Sequence, residues 1–277
     1  MLRIMQQELT RERRQHIQSV QRAASILRAF GEGASELGVG ELSRRLALHK
    51  STVSRLLSTL EGEGLVERVV PGDKYRLGFE FARLAGQVPH FGDVRAIAQP
   101  LLRELADASH ETVHLAVRDG DQVINVDQIS GAHLVRDTNW VGRRTPFHCV
   151  ANGKALLAFF PEADIKRLTV QPLERFTPRT ITNKTELRAE LARVRRLGYA
   201  QARGEIEEGL NAVAAPVFDK NGQVIAAVSV SGPAYRLTPT RLRTMGELVK
   251  RYAQRISKRL GSSSPVGIEI SRKDGSK

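Results

Sequence analysis

Cysteine is almost absent from this sequence: Cys149 is the only one among 277 residues. A single cysteine excludes an intramolecular disulfide, and no His/Cys cluster has the spacing of a structural zinc site. Phosphate-binding loops and dinucleotide fingerprints are also missing, because the glycines fall at turns and helix ends. The sequence therefore predicts neither a metal nor a cofactor.

Long apolar runs are missing as well. No run approaches the ~20 residues of a membrane-spanning helix, and the N-terminal stretch MLRIMQQELTRERRQ lacks the apolar core of a signal peptide. With 41% hydrophobic and 26% charged residues, the composition is that of a soluble globular protein long enough for two domains. We expect a cytoplasmic protein without a membrane partner.

The formal net charge of +13 favours a polyanionic partner. Its distribution does not locate the binding site, however. Residues 1–80 hold 13 basic against 10 acidic side chains, whereas residues 81–277 hold 30 against 20. Charge alone therefore cannot assign DNA binding to either part of the chain.

Residues 40–60 have the pattern of two short helices joined by a tight turn at 47–49. In the second helix the apolar residues recur at i, i+3, i+4 and i+7, which gives one buried face. An ordinary surface helix would carry more Glu and Gln on its other face. Here that face offers hydroxyls and cations, which suit the DNA major groove, and its predicted DNA contacts are Lys50, Ser51, Thr52, Ser54 and Arg55.

The flanking segments complete a winged helix-turn-helix. A helix beginning near Ser19 precedes the pair, and two strands at 64–70 and 74–77 surround the turn signal Pro71-Gly72-Asp73. Lys74 and Arg76 on this wing are predicted to lie along the DNA phosphates. The alternative is that both belong to an ordinary solvated hairpin.

The rest of the chain alternates strand hairpins with longer helices, which predicts an α+β fold with an antiparallel sheet covered by helices. Hairpin turns are expected at residues 119–121 and 219–222. We divide the sequence into a flexible N-terminal arm (1–18), the winged helix-turn-helix domain (19–78), a linker helix (79–93), the C-terminal α+β domain (94–260) and a disordered tail (261–277).

Collinear blocks across residues 19–260 resemble the IclR family of bacterial transcription regulators. The blocks include SVQRAASIL, ELSRRLALHKSTVSRLLSTLEGEGLVER, VGRRTPFHCVANGKALLAF, TPRTIT and GQVIAAVSVSGP. The resemblance implies a C-terminal GAF-like domain, joined by a helical linker, that binds a small effector. It also implies a homodimer, or a dimer of dimers, that binds a palindromic operator in double-stranded DNA and regulates a catabolic operon.

The same resemblance implies a set of effector-binding residues around the GKA helix and the strand ending in SVSG. These are Leu134, Thr145, His148, Cys149, Ala151, Asn152, Gly153, Glu205, Asn211, Ala212, Ser229 and Ser231. Ala212 replaces a cysteine found in many members, and Ala202 replaces an aspartate found in some. We therefore expect a carboxylic or aromatic acid that is larger or more apolar than glyoxylate.

Ser229 and Ser231 alternate on one strand, so their side chains share a face. Together with backbone amides near Gly153 they form a predicted carboxylate-binding site. The alternative is that they are small residues that satisfy local backbone groups.

The alternatives to a regulator are an enzyme and a non-specific nucleoid-type DNA-binding protein. In an enzyme, His148 and Cys149 would be neighbours on a strand and point to opposite faces, which suits a nucleophile and its base poorly. A non-specific nucleoid-type DNA-binding protein would not need a C-terminal domain larger than its DNA-binding domain. The sequence therefore predicts a regulator without enzymatic activity. It does not predict whether the effector activates or represses transcription.

Overall fold

The computed structural model describes residues 17–31, 34–85, 91–133 and 139–262. The chain divides into two compact units, residues 1–89 and 90–277. This division falls inside the predicted linker helix, of which residues 86–90 lie outside the described residues. Nearly all of the predicted arm and tail also lies outside them, as does Leu134.

The first unit contains helices α1 (Gln18–Ala29), α2 (Val39–Leu46), α3 (Lys50–Gly62) and α4 (Glu80–Ala85). Strands β1 (Leu37–Gly38), β2 (Val66–Arg68) and β3 (Lys74–Leu77) form an antiparallel sheet in the order β1-β3-β2. The core lies between the first three helices and β3, and includes Ile26, Leu42, Val53, Leu57 and Tyr75. This is a winged helix-turn-helix, as predicted.

Three local details of this unit differ from the sequence predictions. Strand β1 was not predicted, because two residues carry no periodicity. Strand β2 is limited to Val66–Arg68 rather than spanning 64–70. Helix α1 begins at Gln18, one residue before the predicted start near Ser19, and its N-cap Ile17 makes no side-chain bond.

The turn between α2 and α3 is set by local backbone geometry. Ala47 has a left-handed conformation, with φ of 52°, at the end of α2. The Ser43 hydroxyl donates a hydrogen bond of 2.6 Å to the Leu48 carbonyl and holds the turn closed. Helix α3 then begins at Lys50 with its first amides free of helical partners.

The second unit is a six-stranded antiparallel sheet in the order β6-β5-β4-β9-β8-β7. Its strands are β4 (Thr112–Asp119), β5 (Gln122–Ile129), β6 (Arg144–Thr145), β7 (Ala200–Arg203), β8 (Leu210–Phe218) and β9 (Val224–Pro233). Both predicted hairpins are present, β4 with β5 and β8 with β9.

Helices cover both faces of this sheet. Helix α5 (Phe91–Ser109), which continues through Pro100, and α9 (Pro239–Arg259) pack on one face. Helices α6 (Ala151–Leu157), α7 (Glu162–Leu168) and α8 (Lys184–Leu197) pack on the other. The central strands are therefore buried on both faces, which explains their nearly continuous apolar sequence.

The register of β5 shifts at Val126. Leu115 pairs with Asp127, whereas the next residue, Ala116, pairs with Asn125. The extra residue is a β-bulge, which changes the alternation of side chains along the strand. Because of the bulge, Asn125 and Gln128 lie on the same face of the sheet although they are three positions apart. Asn125 hydrogen-bonds Asn152 of α6, and Gln128 hydrogen-bonds His114 of β4.

Candidate DNA-binding surface and ligand cavity

Helix α3 presents the predicted DNA-contact residues on its outer face. It buries Val53, Leu57 and Leu60 in the core of the first unit. Of the five predicted contacts, Thr52 is half-buried and the other four, Lys50, Ser51, Ser54 and Arg55, are exposed. All five lie in the first two turns of the helix, the part that enters the major groove in helix-turn-helix proteins.

A cleft of about 430 Å³ separates the start of α3 from the wing. Lys50 and Ser54 line one side, and Lys74 and Arg68 line the other. Arg68 was missed by sequence reasoning. Its guanidinium lies over the Tyr75 ring, 5.3 Å from the centroid, and donates a 2.7 Å hydrogen bond to the Tyr75 hydroxyl.

Arg76 has a different environment from Lys74. It faces Glu67 across the β2–β3 pair and forms an ion pair with it. Arg76 also does not line the cleft. Lys50, Arg68 and Lys74 therefore form the basic part of the cleft, and the charge of Arg76 is partly neutralised.

The second unit contains a cavity between its sheet and the start of α6. Its volume of about 50 Å³ is several times what one water molecule needs. Every strand of the sheet contributes at least one lining residue. The lining residues are His114, Val123, Asn125, Trp140, Thr145, Val150, Ala151, Asn152, Ala202, Glu205, Ile206, Leu210, Ala212, Ser229 and Ser231.

Polar side chains of the cavity wall hydrogen-bond one another. His114 Nε2 lies 3.1 Å from Gln128 Oε1, and His114 Nδ1 lies 3.5 Å from Ser231 Oγ. Asn152 Nδ2 donates to Asn125 Oδ1 at 3.0 Å. The wall therefore offers both donors and acceptors on an otherwise largely apolar surface, the usual make-up of a small-molecule site.

A buried ion pair stands behind one end of the cavity. Lys154 is 0% exposed, and its Nζ lies 2.7 and 2.8 Å from the two carboxylate oxygens of Glu205. Glu190 lies 3.7 Å from the same ammonium. Burial raises the pKa of Glu205, and Lys154 opposes that rise. Burial also acts to raise the pKa of Glu190, but Arg193 and Lys154 hold it below its ordinary value.

The TPRT segment fixes the loop that carries Glu205. The Thr177 hydroxyl donates to the Gly204 carbonyl at 2.6 Å, and the Thr180 hydroxyl donates to the Glu205 carbonyl at 2.6 Å. The Thr180 oxygen also accepts from the amides of Phe176 and Thr177. This part of the TPRTIT block therefore holds Glu205 in place and does not itself line the cavity.

Seven of the twelve predicted effector residues line the cavity. They are Thr145, Ala151, Asn152, Glu205, Ala212, Ser229 and Ser231. Sequence reasoning missed the role of His114, Asn125 and Trp140, which reach the cavity from β4, β5 and the segment before β6.

Four other predicted effector residues do not line the cavity. Gly153 packs against Phe147, since an added Cβ would lie 2.3 Å from the Phe147 carbonyl oxygen. Asn211 donates to the Leu237 carbonyl at 2.9 Å. His148 lies 2.8 Å from the Glu174 carbonyl through Nε2, and the Cys149 thiol faces the Pro146 carbonyl. The glycine of the GKA block thus serves packing.

His148 and Cys149 are not on a strand, as the sequence suggested, but in a 3₁₀ turn, Phe147–Cys149. Burial lowers the pKa of His148, and burial raises the pKa of the Cys149 thiol to about 12. A thiol of that pKa is almost entirely protonated near neutral pH, so it is a poor nucleophile. Within the described ranges, no group of His, Cys, Asp and Glu could hold a metal ion.

We expect Cys149 to resist thiol reagents in the folded protein. At about pH 8 a thiol with a pKa of about 12 is ~0.01% thiolate, so labelling with 5,5′-dithiobis(2-nitrobenzoate) should be at least ~100-fold slower than in the guanidinium-unfolded chain. The unfolded chain is the control for reagent activity. Equal labelling rates in both states would contradict the burial of this thiol.

A winged helix-turn-helix and a ligand cavity in one chain define a DNA-binding transcription regulator that responds to a small molecule. The family model for the IclR helix-turn-helix domain matches residues 19–69, and that for the bacterial transcriptional regulator IclR C-terminal domain matches residues 87–258. The chain belongs to the IclR family of transcription regulators, and it is not an enzyme.

Curated relatives span nearly the same length. The chain is 35% identical over 246 residues to the transcriptional regulator KdgR of Escherichia coli K12, covering 88% of this chain and 93% of the relative. It is 36% identical over 245 residues to the repressor AllR of Klebsiella pneumoniae, covering 88% and 90%.

Solved structures share the fold. An IclR homolog from Microbacterium hydrocarbonoxydans, complexed with 4-hydroxybenzoate, has 28% identity and a TM-score of 0.74, covering 87% of this chain and 98% of its own. The Thermotoga maritima IclR has 29% identity and a TM-score of 0.71, covering 89% and 100%. In the described parts of the chain, no helix is both long enough and apolar enough to cross a membrane.

Proposed function

We propose that this regulator acts in the cytoplasm, binds a palindromic operator as a dimer or a dimer of dimers, and changes its operator affinity when a small carboxylic or aromatic acid occupies the cavity. The observation that carries the proposal is the cavity between α6 and the sheet, present in the same chain as the winged helix-turn-helix. Ligand binding activates or represses transcription according to whether the ligand stabilises the DNA-bound form of the regulator or its free form.

The proposal of a dimer is based on the small size of the recognition helix. One recognition helix contacts only a few base pairs, so specific binding needs a second copy at a symmetric half-site. The residues proposed to read bases are those in the first turns of α3: Lys50, Ser51, Thr52, Ser54 and Arg55. Lys74 and Arg68, in the cleft beside them, are proposed to contact phosphates.

The acid end of the ligand is proposed to lie against Ser229 and Ser231. Both serines line the cavity and are buried, and Ser231 lies near His114 Nδ1. The neighbour complexed with 4-hydroxybenzoate supports an acid as the ligand of this regulator. A carboxylate there would accept hydrogen bonds from hydroxyl groups that are already fixed on a rigid strand.

The double variant Ser229→Ala/Ser231→Ala should weaken binding of the acid by at least ~10-fold while operator affinity in the absence of ligand stays unchanged. Two hydrogen bonds to a charged group account for an effect of this size. Thermal-shift screening of aromatic acids, sugar acids and short carboxylates selects the ligand. Calorimetry then measures its affinity, and gel-shift titration measures operator binding.

Ser257→Ala is the matched control. Ser257 is also a buried serine, but it bonds the Phe218 amide and the Ala253 carbonyl rather than lining the cavity. It should lower stability without lowering ligand affinity. Equal ligand affinity in the double variant and the native chain would refute the serine assignment.

Equal affinity and salt dependence on random and upstream DNA would instead favour the nucleoid-type alternative.

A further inference from the structure

Two hydrogen-bond acceptors of the cavity wall are left with unused capacity. Both belong to side chains that are more than nine-tenths buried: Asn152 is 8% exposed and Glu205 is 7% exposed. Each lines the cavity. Because buried polar groups are nearly always hydrogen-bonded, these two acceptors indicate what the bound molecule must supply.

The carboxamide of Asn152 uses only its donor side. Its Nδ2 donates to Asn125 Oδ1 at 3.0 Å. Its Oδ1 is buried and accepts no hydrogen bond from any residue that the structure describes. Since Asn125 Oδ1 already fixes the orientation of the amide, the open position calls for an incoming N–H or O–H.

The carboxylate of Glu205 is held rigidly but is not fully used. Lys154 donates to both oxygens, and the Arg203 amide donates to Oε1 at 3.3 Å. An ionised carboxylate offers about four acceptor positions, so Oε2 retains one. Lys154 is therefore a positioning residue: it orients Glu205 and is itself too deep to line the cavity.

This wall does not suit the acid group of a ligand. The positive charge of Lys154 is already paired with Glu205, and none of the described lining residues is a lysine or an arginine. A ligand carboxylate placed against Glu205 would meet a like charge, which is unfavourable at hydrogen-bond distance. The serines lie on β9, two strands away from β7, where the Glu205 loop begins, or roughly 10 Å at the usual strand spacing.

We infer that the effector is a hydroxylated acid. Its hydroxyl donates a hydrogen bond to Glu205, its carboxylate lies on the serine side of the cavity, and Asn152 offers an acceptor for a further donor. The inference rests on the proposed ligand-binding function of this cavity. It narrows the ligand class from carboxylic acids in general to those that carry a donor group away from the acid.

The test uses matched acids that differ by one hydroxyl far from the carboxylate: 4-hydroxybenzoate with benzoate, and 4-hydroxyphenylacetate with phenylacetate. Calorimetry on the full chain without DNA should show at least one hydroxylated member binding ~10-fold or more tightly than its partner. A site built to bond a hydroxyl discriminates strongly against an analogue that lacks it. In Glu205→Gln the preference should fall to less than ~3-fold, because a neutral amide accepts more weakly than a carboxylate.

Two further variants control for the effect of the substitution itself and for loss of stability. Glu208→Gln makes the same change at an exposed position of the same loop and should keep the native preference. Lys154→Met/Glu205→Gln removes both charges together, so a folded chain without the carboxylate remains available if the single variant is unstable. It too should lose the preference.

Three results would overturn the inference: equal binding within both pairs, no binding of either hydroxy acid, or an undiminished preference in Glu205→Gln and the double variant. None of these depends on DNA. Failure of the proposed function would show in the gel shift instead, as a native chain whose operator affinity does not respond to any acid that calorimetry finds bound.

Discussion

Replacing Lys154 with methionine should lower the free energy of unfolding by about 3–5 kcal/mol, the usual effect of removing one partner of a buried ion pair. The ammonium is fully buried and bonds both oxygens of Glu205, with Glu190 nearby. Methionine fills a similar volume, so the loss comes mainly from the uncompensated carboxylate. Urea unfolding followed by the fluorescence of Trp140, which lies in the same unit, measures it.

The stability deficit of Lys154→Met should depend on pH. Burial already raises the pKa of Glu205, and removal of Lys154 takes away the charge that opposes that rise. The folded variant therefore binds a proton more readily than the unfolded chain, so its stability increases as the pH falls through the raised pKa. We expect a smaller difference from the native chain at about pH 5 than at about pH 8.

The double variant Lys154→Met/Glu205→Gln is the control for this prediction. It removes the lysine and its main partner together, and should recover most of the lost stability, because neither charge is left unpaired. A single variant as stable as the native chain would show that the pair contributes no net stability. A double variant no better than the single one would locate the effect in packing rather than charge.

Replacing Arg55 with alanine should lower specific operator affinity by at least ~30-fold and leave ligand affinity unchanged. Arg55 is exposed on the outer face of α3, and its guanidinium has no bonding partner in the described part of the chain. One bidentate contact to a base contributes about 1–3 kcal/mol, and a dimer makes it twice. Gel-shift titration on the upstream region and on random DNA measures the effect.

Arg188→Ala is the matched control for Arg55→Ala. It removes one positive charge from an exposed ion pair with Glu162 in the second unit, and operator affinity should stay within ~3-fold of the native value. Equal losses on operator and random DNA, with a smaller salt slope, would assign Arg55 to phosphate rather than to bases. Unchanged operator affinity would remove it from the interface.

Local patterns predicted the elements whose residues are close in sequence. The i, i+3, i+4, i+7 stripe located α3, and turn residues located both hairpins of the second unit. Strand β1 was not predicted, because a strand of two residues is too short to show a periodic pattern. The position of Asn125 and Gln128 on the cavity side of the sheet was not predicted either, because the bulge at Val126 alters the alternation expected of a strand.

The parts of the site that the sequence did not reveal depend on distant contacts. Lys154 stands in an apolar helix, and its partner Glu205 is 51 positions further along the chain. His114 joins Ser229 and Ser231 because the strand order places β4 beside β9, and Trp140 reaches the same cavity from the segment before β6. Neither pairing leaves a local signal. The family resemblance supplied Glu205 and the serines, but not the residues that face them.

The strand order also determines when each unit can fold during translation. Strand β4 pairs with β9, so Thr112 meets Ser231 more than a hundred residues after it has been translated. At ribosomal speed the centre of the second sheet stays open for on the order of 10 seconds. Among the described residues of the first unit, the three strands and four helices all precede residue 86 and pair with no later strand. A nascent chain can therefore complete its DNA-reading unit before the unit that senses the ligand exists.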